Sequence, residues 1–165
     1  MTYLKFIGCK NVEPYLINWD SELRIAGRSF RNSYLVKPSY IDESKWKLFE
    51  LPKILIREVG IKLTAAFDAN GEYGNLTGMY ALYNLNSNYE PRFLLALLNS
   101  SLLDFYYKSL YGSTHMAGGY LNFHGSYIKN LPLIRAEATQ QKTIAGYVSQ
   151  LVLAAVELLV RTLTP

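Results

Sequence analysis

The hydrophobic pattern of this chain changes its period once, close to Pro91. Before that point, short runs rich in β-branched and aromatic residues are separated by turn signals such as Asn70-Gly71. The runs predict strands at Tyr3–Ile7, Tyr34–Lys37, Ile54–Glu58, Leu63–Phe67 and Met79–Tyr83. We expect the third and fourth of these strands to pair as a hairpin across residues 59–62.

After Pro91, apolar residues recur with the spacing of a helix. Pro91 suits the first position of a helix, and Asn99-Ser100-Ser101 either kinks that helix or caps a second one. A final helix is predicted from about Ala136 to Leu163, with a coiled-coil-like seam at Ile144, Val148, Leu151, Ala155 and Leu158. The pattern predicts an α/β (α+β) fold, with a mixed β-sheet N-terminal part, a helical C-terminal part and a long terminal helix.

The composition is that of one globular domain. Of the 165 residues, 50% are hydrophobic and 18% are charged, which is enough apolar surface for a buried core. Cys9 is the only cysteine, and this excludes an internal disulfide and a thiolate zinc cluster. The N-terminus lacks the apolar run of a secretory signal, and polar residues between Ser149 and Arg161 interrupt the C-terminal apolar segment. We therefore expect a cytoplasmic protein without a transmembrane helix.

Positive charge is concentrated in the N-terminal part. The net charge is +4, and residues 1–62 carry the whole excess. Within them, residues 23–41 contain no acidic residue, and they hold Arg24, Arg28, Arg31 and Lys37, with Tyr34 and Tyr40 interleaved. Such an asymmetry favours an anionic partner such as double-stranded DNA. The alternative, equally open at this point, is a solvated basic face.

Candidate DNA contacts follow from these patterns. Phosphates are expected to meet the basic residues of the 23–41 stretch, with Tyr40 beside them. Arg57 ends an apolar strand, and it either points at DNA or pairs with Glu50 or Glu58. The glycine-rich, charge-poor loop 112–126 suits either groove readout or a plain surface loop, and its candidates for base contacts are Ser113, Thr114, His115, Asn122 and His124. Lys129 follows the loop as a further phosphate candidate.

The residues that catalysis on DNA requires are missing. A methyltransferase acting on exocyclic amines needs a glycine turn for its cofactor and an Asn-Pro-Pro-aromatic motif, and the chain has neither. The E-x-K spacing within Asp42–Lys45 is interpreted as part of a polar loop rather than a nuclease centre. His115 and His124 lack a third metal ligand. We therefore expect no catalytic residue, metal or cofactor in this chain.

Four stretches, in order and at the right separations, resemble one known family. They are residues 6–17 (FIGCKNVEPYLI), residues 48–84 (LFELPKILIREVGIKLTAAFDANGEYGNLTGMYALYN), residues 94–112 (LLALLNSSLLDFYYKSLYG) and residues 126–134 (SYIKNLPLI). Together they resemble the TaqI-like C-terminal specificity domain. That domain is appended to adenine-specific methyltransferases and to single-chain restriction-modification enzymes.

The resemblance implies a non-catalytic DNA target-recognition domain over residues 1–135, followed by a spacer or docking helix over residues 136–165. Such a domain clamps duplex DNA against a separate methyltransferase or endonuclease domain of a parent enzyme. S-adenosylmethionine and magnesium are then expected only in the other domains of that parent. The start at Tyr3 favours an excised fragment of a longer protein over a small stand-alone product.

Two rival interpretations remain open. In the first, the chain is an assembly module of a restriction or phage-defence complex, similar to half of a type I specificity subunit, and its C-terminal apolar stripe docks a partner subunit. In the second, it is a small nuclease built around Asp42–Lys45.

Overall fold

The computed structural model describes residues 3–75, 77–83, 88–112 and 117–163. The helices are α1 (Glu43–Phe49), α2 (Pro91–Leu98), α3 (Ser101–Tyr111), α4 (Gly125–Ile128) and α5 (Ala138–Leu163). The strands are β1 (Tyr3–Phe6), β2 (Val12–Glu13), β3 (Leu16–Ile17), β4 (Leu23–Ile25), β5 (Arg28–Phe30), β6 (Tyr34–Val36), β7 (Lys53–Arg57), β8 (Val59–Gly60), β9 (Ala65–Asp68), β10 (Tyr73–Gly74), β11 (Met79–Leu82) and β12 (Leu121–Asn122). These elements confirm the predicted α+β class and the long terminal helix.

The central sheet has the order β11-β7-β9, and both outer strands run antiparallel to β7. The pairing of β7 with β9 confirms the hairpin predicted from the sequence. β7 is covered on both faces and is buried from Lys53 to Ile56. Ile54 and Ile56 belong to one cluster of core residues and Leu55 to another, as the two-residue period of a strand requires.

The two faces of the central sheet pack against different parts of the chain. The cluster around Ile54 and Ile56 collects side chains of α2, α3 and α5, among them Leu98, Tyr107 and Val148. The cluster around Leu55 contains Ile7 and Val12 of the N-terminal segment and Met79 of β11. Outside the central sheet, β1 lies between β10 and β6, and three two-stranded pairs are formed by β2 with β3, β4 with β5, and β8 with β12.

Local hydrogen bonds fix the ends of the helices. Pro91 occupies the first turn of α2, and the Glu90 carboxylate before it accepts a hydrogen bond from Phe93 N at 2.8 Å. Ser100 Oγ accepts from Leu103 N at 3.2 Å, so the cluster predicted to kink one helix or cap a second does cap α3. Asn99, between the two helices, exchanges hydrogen bonds with the backbone of Ala65. This exchange joins the helices to the free edge of β9.

The prediction of a polar loop around Asp42–Lys45 is wrong, because helix α1 begins at Glu43. The reason is packing. Trp46 is fully buried, and its ring lies 6.0 Å from that of Phe49, one helical turn later. Packing of these two aromatic rings stabilises a seven-residue helix. The polar residues of its first turn do not predict a helix.

The first half of α5 packs on the domain, whereas several large apolar side chains of its second half are exposed. Gln141, Ala145 and Val148 are buried, whereas Leu153 and Leu158 are exposed. By length and composition, residues 138–159 are also long and apolar enough to cross a membrane. The mean hydropathy of this stretch is 1.3, and 11% of it is buried. Length and composition alone therefore do not exclude a span, contrary to the sequence argument. The cytoplasmic location and the boundary between residues 135 and 136 stay predictions.

A buried ion pair joins the strands to α1. Lys53 Nζ lies 2.5 Å from Asp68 Oδ2 and donates to Phe49 O at 2.6 Å, and both charged side chains are inaccessible to solvent or nearly so. Asp68 also accepts hydrogen bonds from the backbone N–H groups of Glu72 and Tyr73. Burial lowers the pKa of Lys53 below the usual lysine value, while the hydrogen bond and charge of Asp68 act in the opposite direction. The pair links β7, β9, α1 and β10.

Replacing Lys53 with Met should strongly destabilise the fold. The change leaves the Asp68 carboxylate buried without its cation, and breaking a buried pair in this way costs about 3–5 kcal/mol. We expect a loss of that order in the free energy of unfolding, measured by urea denaturation and circular dichroism. Lys45→Met, which alters an exposed lysine of α1, should change that free energy by less than about 0.5 kcal/mol. Equal effects of the two substitutions would contradict the assigned role of Lys53.

Candidate nucleic-acid interface

Strands β4 and β5 form an exposed hairpin whose tip is Ala26-Gly27. Both tip residues have positive φ angles, 48° and 77°, as in a two-residue turn of the type that matches the twist of the flanking strands. Every residue from Arg24 to Asn32 is exposed. The hairpin therefore stands away from the core as a ribbon that a partner can reach.

Contacts with β1 and with residues that follow it hold the root of this hairpin. Leu23 is buried against Gly8, so closely that a Cβ added at position 8 would lie 2.3 Å from Leu23 Cδ1. On the returning strand, Ser33 O accepts hydrogen bonds from Phe6 N at 2.8 Å and from Trp19 Nε1 at 3.0 Å. The root is fixed on both strands while the tip extends into solvent.

One face of the hairpin holds a polar network around Glu22. Arg24 stands opposite Ser29 in the β4–β5 register, and the Ser29 hydroxyl donates to the Glu22 carboxylate. Arg24 Nε lies 3.5 Å from Glu22 Oε1. The hydrogen bond from Ser29 and the charges of Arg24 and Arg31 lower the pKa of Glu22 below its ordinary value. Glu22 therefore stays ionised at neutral pH and partly offsets two of the three arginines.

Arg28 lies on the opposite face. It directly follows the tip and stands opposite Ile25, and Leu23 pairs with Phe30 on the same face. Ile25 and Phe30 are each 40% exposed. Among the described residues, Arg28 has no ion pair and no side-chain hydrogen bond. This face presents a guanidinium with free donors, flanked by apolar side chains.

A cleft of about 290 Å³ separates the hairpin from the body of the domain. Arg24 and Ile25 line it from the hairpin side, and Lys10 and Gly78 line it from the body. Arg57 Nη2 donates to Lys10 O at 3.1 Å, which brings Arg57 to this part of the surface. Its buried Nε has no hydrogen-bond partner among the described residues. The cleft is thus lined by cations from two distant segments, Lys10 and Arg24, and Arg57 lies beside it.

The segment after β12 adjoins the end of β7. Phe123 N donates to Glu58 O at 2.7 Å, next to Arg57. The Tyr107 hydroxyl fixes this segment, because it donates to Asn122 O at 2.9 Å and accepts from His124 N at 3.1 Å. Asn122 Oδ1 is buried without a hydrogen-bond partner within the described ranges, and the exposed His124 ring contacts Ser126 Oγ at 2.8 Å.

The other predicted contacts are distributed more widely. Lys37 is paired with Glu43 and lies with Tyr40, which is 83% exposed, on the connection from β6 to α1. Lys129 is exposed after α4. Thr114 and His115 lie outside the described residues. The structure brings Arg24, Arg28 and Arg31 together on the hairpin, with Arg57 beside its cleft, and the roles of all these residues stay predictions.

Sequence reasoning missed the hairpin and Lys10. Leu23-Arg24-Ile25 alternates apolar and polar residues and leads into Ala26-Gly27, where the glycine favours a turn, which is a partial hairpin signal. Lys10 gives no such signal, because its place at the cleft depends on a contact between distant parts of the chain. Next to it, Cys9 Sγ lies 3.5 Å from Val59 O. In the described part of the chain, no group of three metal-ligating side chains is present.

The comparison with known families identifies one match. The profile of the TaqI-like C-terminal specificity domain matches residues 4–133, which confirms the resemblance predicted from the sequence. The match includes the hairpin, the cleft and the segment after β12, and it ends before α5. No curated protein matches the chain.

Replacing Tyr107 with Phe should weaken the support beneath Asn122 and His124. The change removes a fully buried hydroxyl and leaves Asn122 O and His124 N without that partner, at a cost of about 1–3 kcal/mol. We expect a loss of that order in the free energy of unfolding, measured by chemical denaturation. Tyr106→Phe, at a neighbouring position 38% exposed to solvent, serves as the control and should be nearly neutral. A neutral Tyr107→Phe would show that the hydroxyl does not hold this segment.

Proposed function

The chain belongs to the family of TaqI-like C-terminal specificity domains, DNA-recognition domains of restriction-modification enzymes, and we propose that it binds a short duplex sequence through the hairpin and the adjacent cleft. The observation that carries this proposal is the display of Arg24, Arg28 and Arg31 on one exposed ribbon. Clustered cations displace counterions from the phosphate backbone and provide sequence-independent affinity. A ribbon with a fixed root can then present side chains to base edges.

The proposed mechanism is binding without a covalent step. Arg24, Arg31 and Lys10 contact phosphates, and side chains at the hairpin and after β12 contact bases. Lys129 and Lys37 extend the phosphate contacts, the latter after release from Glu43. In this proposal the chain presents duplex DNA to an adenine-specific methyltransferase or endonuclease domain of the same enzyme. S-adenosylmethionine and magnesium would bind in those domains.

A second candidate function is suggested by α5. Beyond Val152 the helix exposes several large apolar side chains, namely Leu153, Val156 and Leu158, and such a surface is typical of a docking helix. As an assembly module, the chain would bind a partner subunit through this half of α5. Removing residues 153–165 separates the two functions and spares the part of α5 that packs in the core. A DNA reader keeps its duplex affinity after this truncation, whereas an assembly module loses its partner.

Reversing two charges on the hairpin should weaken binding to every duplex. We expect Arg24→Glu together with Arg31→Glu to remove two phosphate contacts. The slope of the logarithm of the binding constant against the logarithm of the salt concentration should then become less steep by about 1.8. Fluorescence anisotropy with labelled duplexes at several salt concentrations measures both quantities. The control is Arg135→Glu with Lys142→Glu, which makes the same charge change at two exposed residues, one just before α5 and one within it. An unchanged slope in the hairpin variant would show that the hairpin does not contact the phosphates of the duplex. Absence of affinity for any duplex at low salt would overturn the proposed function as a whole.

A further inference from the structure

Resting on the proposed DNA-binding function, we propose that the β4–β5 hairpin enters the major groove and that Arg28 reads a guanine there. Arg28 is thereby a specificity-determining residue, distinct from the phosphate-contacting Arg24 and Arg31. The inference depends on the shape of the hairpin, on the chemistry of its two faces and on the freedom of the Arg28 guanidinium.

The shape of the hairpin suits a groove. The major groove of B-form DNA is about 12 Å wide and admits a two-stranded β-ribbon. The hairpin is such a ribbon, with three-residue strands, a tight two-residue tip and no buried residue beyond Leu23. Its root is anchored through Leu23 against Gly8 and through Ser33 O. A ribbon fixed at its root presents its tip in a defined direction, which base readout requires.

The two faces of the ribbon are chemically different. The face with Arg24 and Ser29 carries the Glu22 network, in which Arg24 Nε and the Ser29 hydroxyl are already engaged. The face with Arg28 carries Ile25 and Phe30, whose exposed apolar atoms suit the methyl group of thymine and the edges of bases. Phosphates offer no apolar surface. The composition of the Arg28 face therefore fits the floor of a groove better than its phosphate walls.

Arg28 has the donors that a guanine edge needs. Among the described residues it makes no ion pair or side-chain hydrogen bond, and it directly follows the turn. A guanidinium donates two parallel hydrogen bonds to O6 and N7 of guanine, the commonest specific contact in the major groove. Lysine carries the same charge without the planar fork. The change of Arg28 to Lys therefore separates base readout from simple charge.

The test begins with the duplex that the wild-type chain selects from a random library. The same selection with Arg28→Lys should lose the preference at one G·C pair and keep the others. On the selected duplex, Arg28→Lys should bind roughly 5- to 150-fold more weakly, while its salt dependence and its affinity for unrelated duplexes stay close to wild type. Arg28 is exposed and has no side-chain partner within the described ranges, so the melting temperature should not change. Arg135→Lys, at an exposed position beside α5, is the matched control.

A second measurement identifies the atom that is read. Replacing the guanine at that position with 7-deazaguanine removes N7 and should weaken wild-type binding but not the binding of Arg28→Lys. Retention of every base preference by Arg28→Lys, or an equal loss of affinity for all duplexes, would overturn the assignment of Arg28 while leaving the proposed function intact. A wild-type chain that binds duplexes without sequence preference would overturn both proposals.

Discussion

The buried pair of Lys53 and Asp68 connects the core to the surface that faces DNA in our proposal. Asp68 receives Lys53 from β7 and the backbone N–H of Tyr73 from β10. β10 pairs with β1, and the chain leaving β1 reaches Gly8, against which the root of the hairpin packs. The direction of the hairpin therefore depends on a charge pair that it does not contact.

Features that depend on neighbouring residues were predictable from the sequence, and features that depend on distant ones were not. Pro91 and Ser100 mark helix starts because a cap acts within one turn, and the β7–β9 hairpin follows from two adjacent apolar runs. Helix α1 depends on burial of Trp46, and no local sequence pattern predicts that burial. The Lys53–Asp68 pair spans 15 residues in the sequence, and the spacing rules for charge pairs reach only three or four.

The candidate site shows the same division. Arg24, Arg28 and Arg31 were recognisable as a group because they lie close together in a stretch of sequence without acidic residues. Arg57 and the Lys10 carbonyl that it contacts are separated by 47 residues, so only the fold reveals that Arg57 lies beside the cleft that Lys10 lines. The distribution of donors between the two hairpin faces follows from register, since it is set by which residues stand opposite Ile25 and Ser29.

Glu22 acquires a role once the two faces are distinguished. An acidic residue inside a basic cluster weakens attraction to the phosphate backbone, which is the same for all sequences. It leaves a contact between Arg28 and a base unaffected, because that contact lies on the other face. Specificity is a difference between affinities for the target and for other duplexes. A carboxylate that lowers the sequence-independent part lowers it equally for every duplex, so that difference is unchanged and base readout makes up a larger share of the total binding free energy.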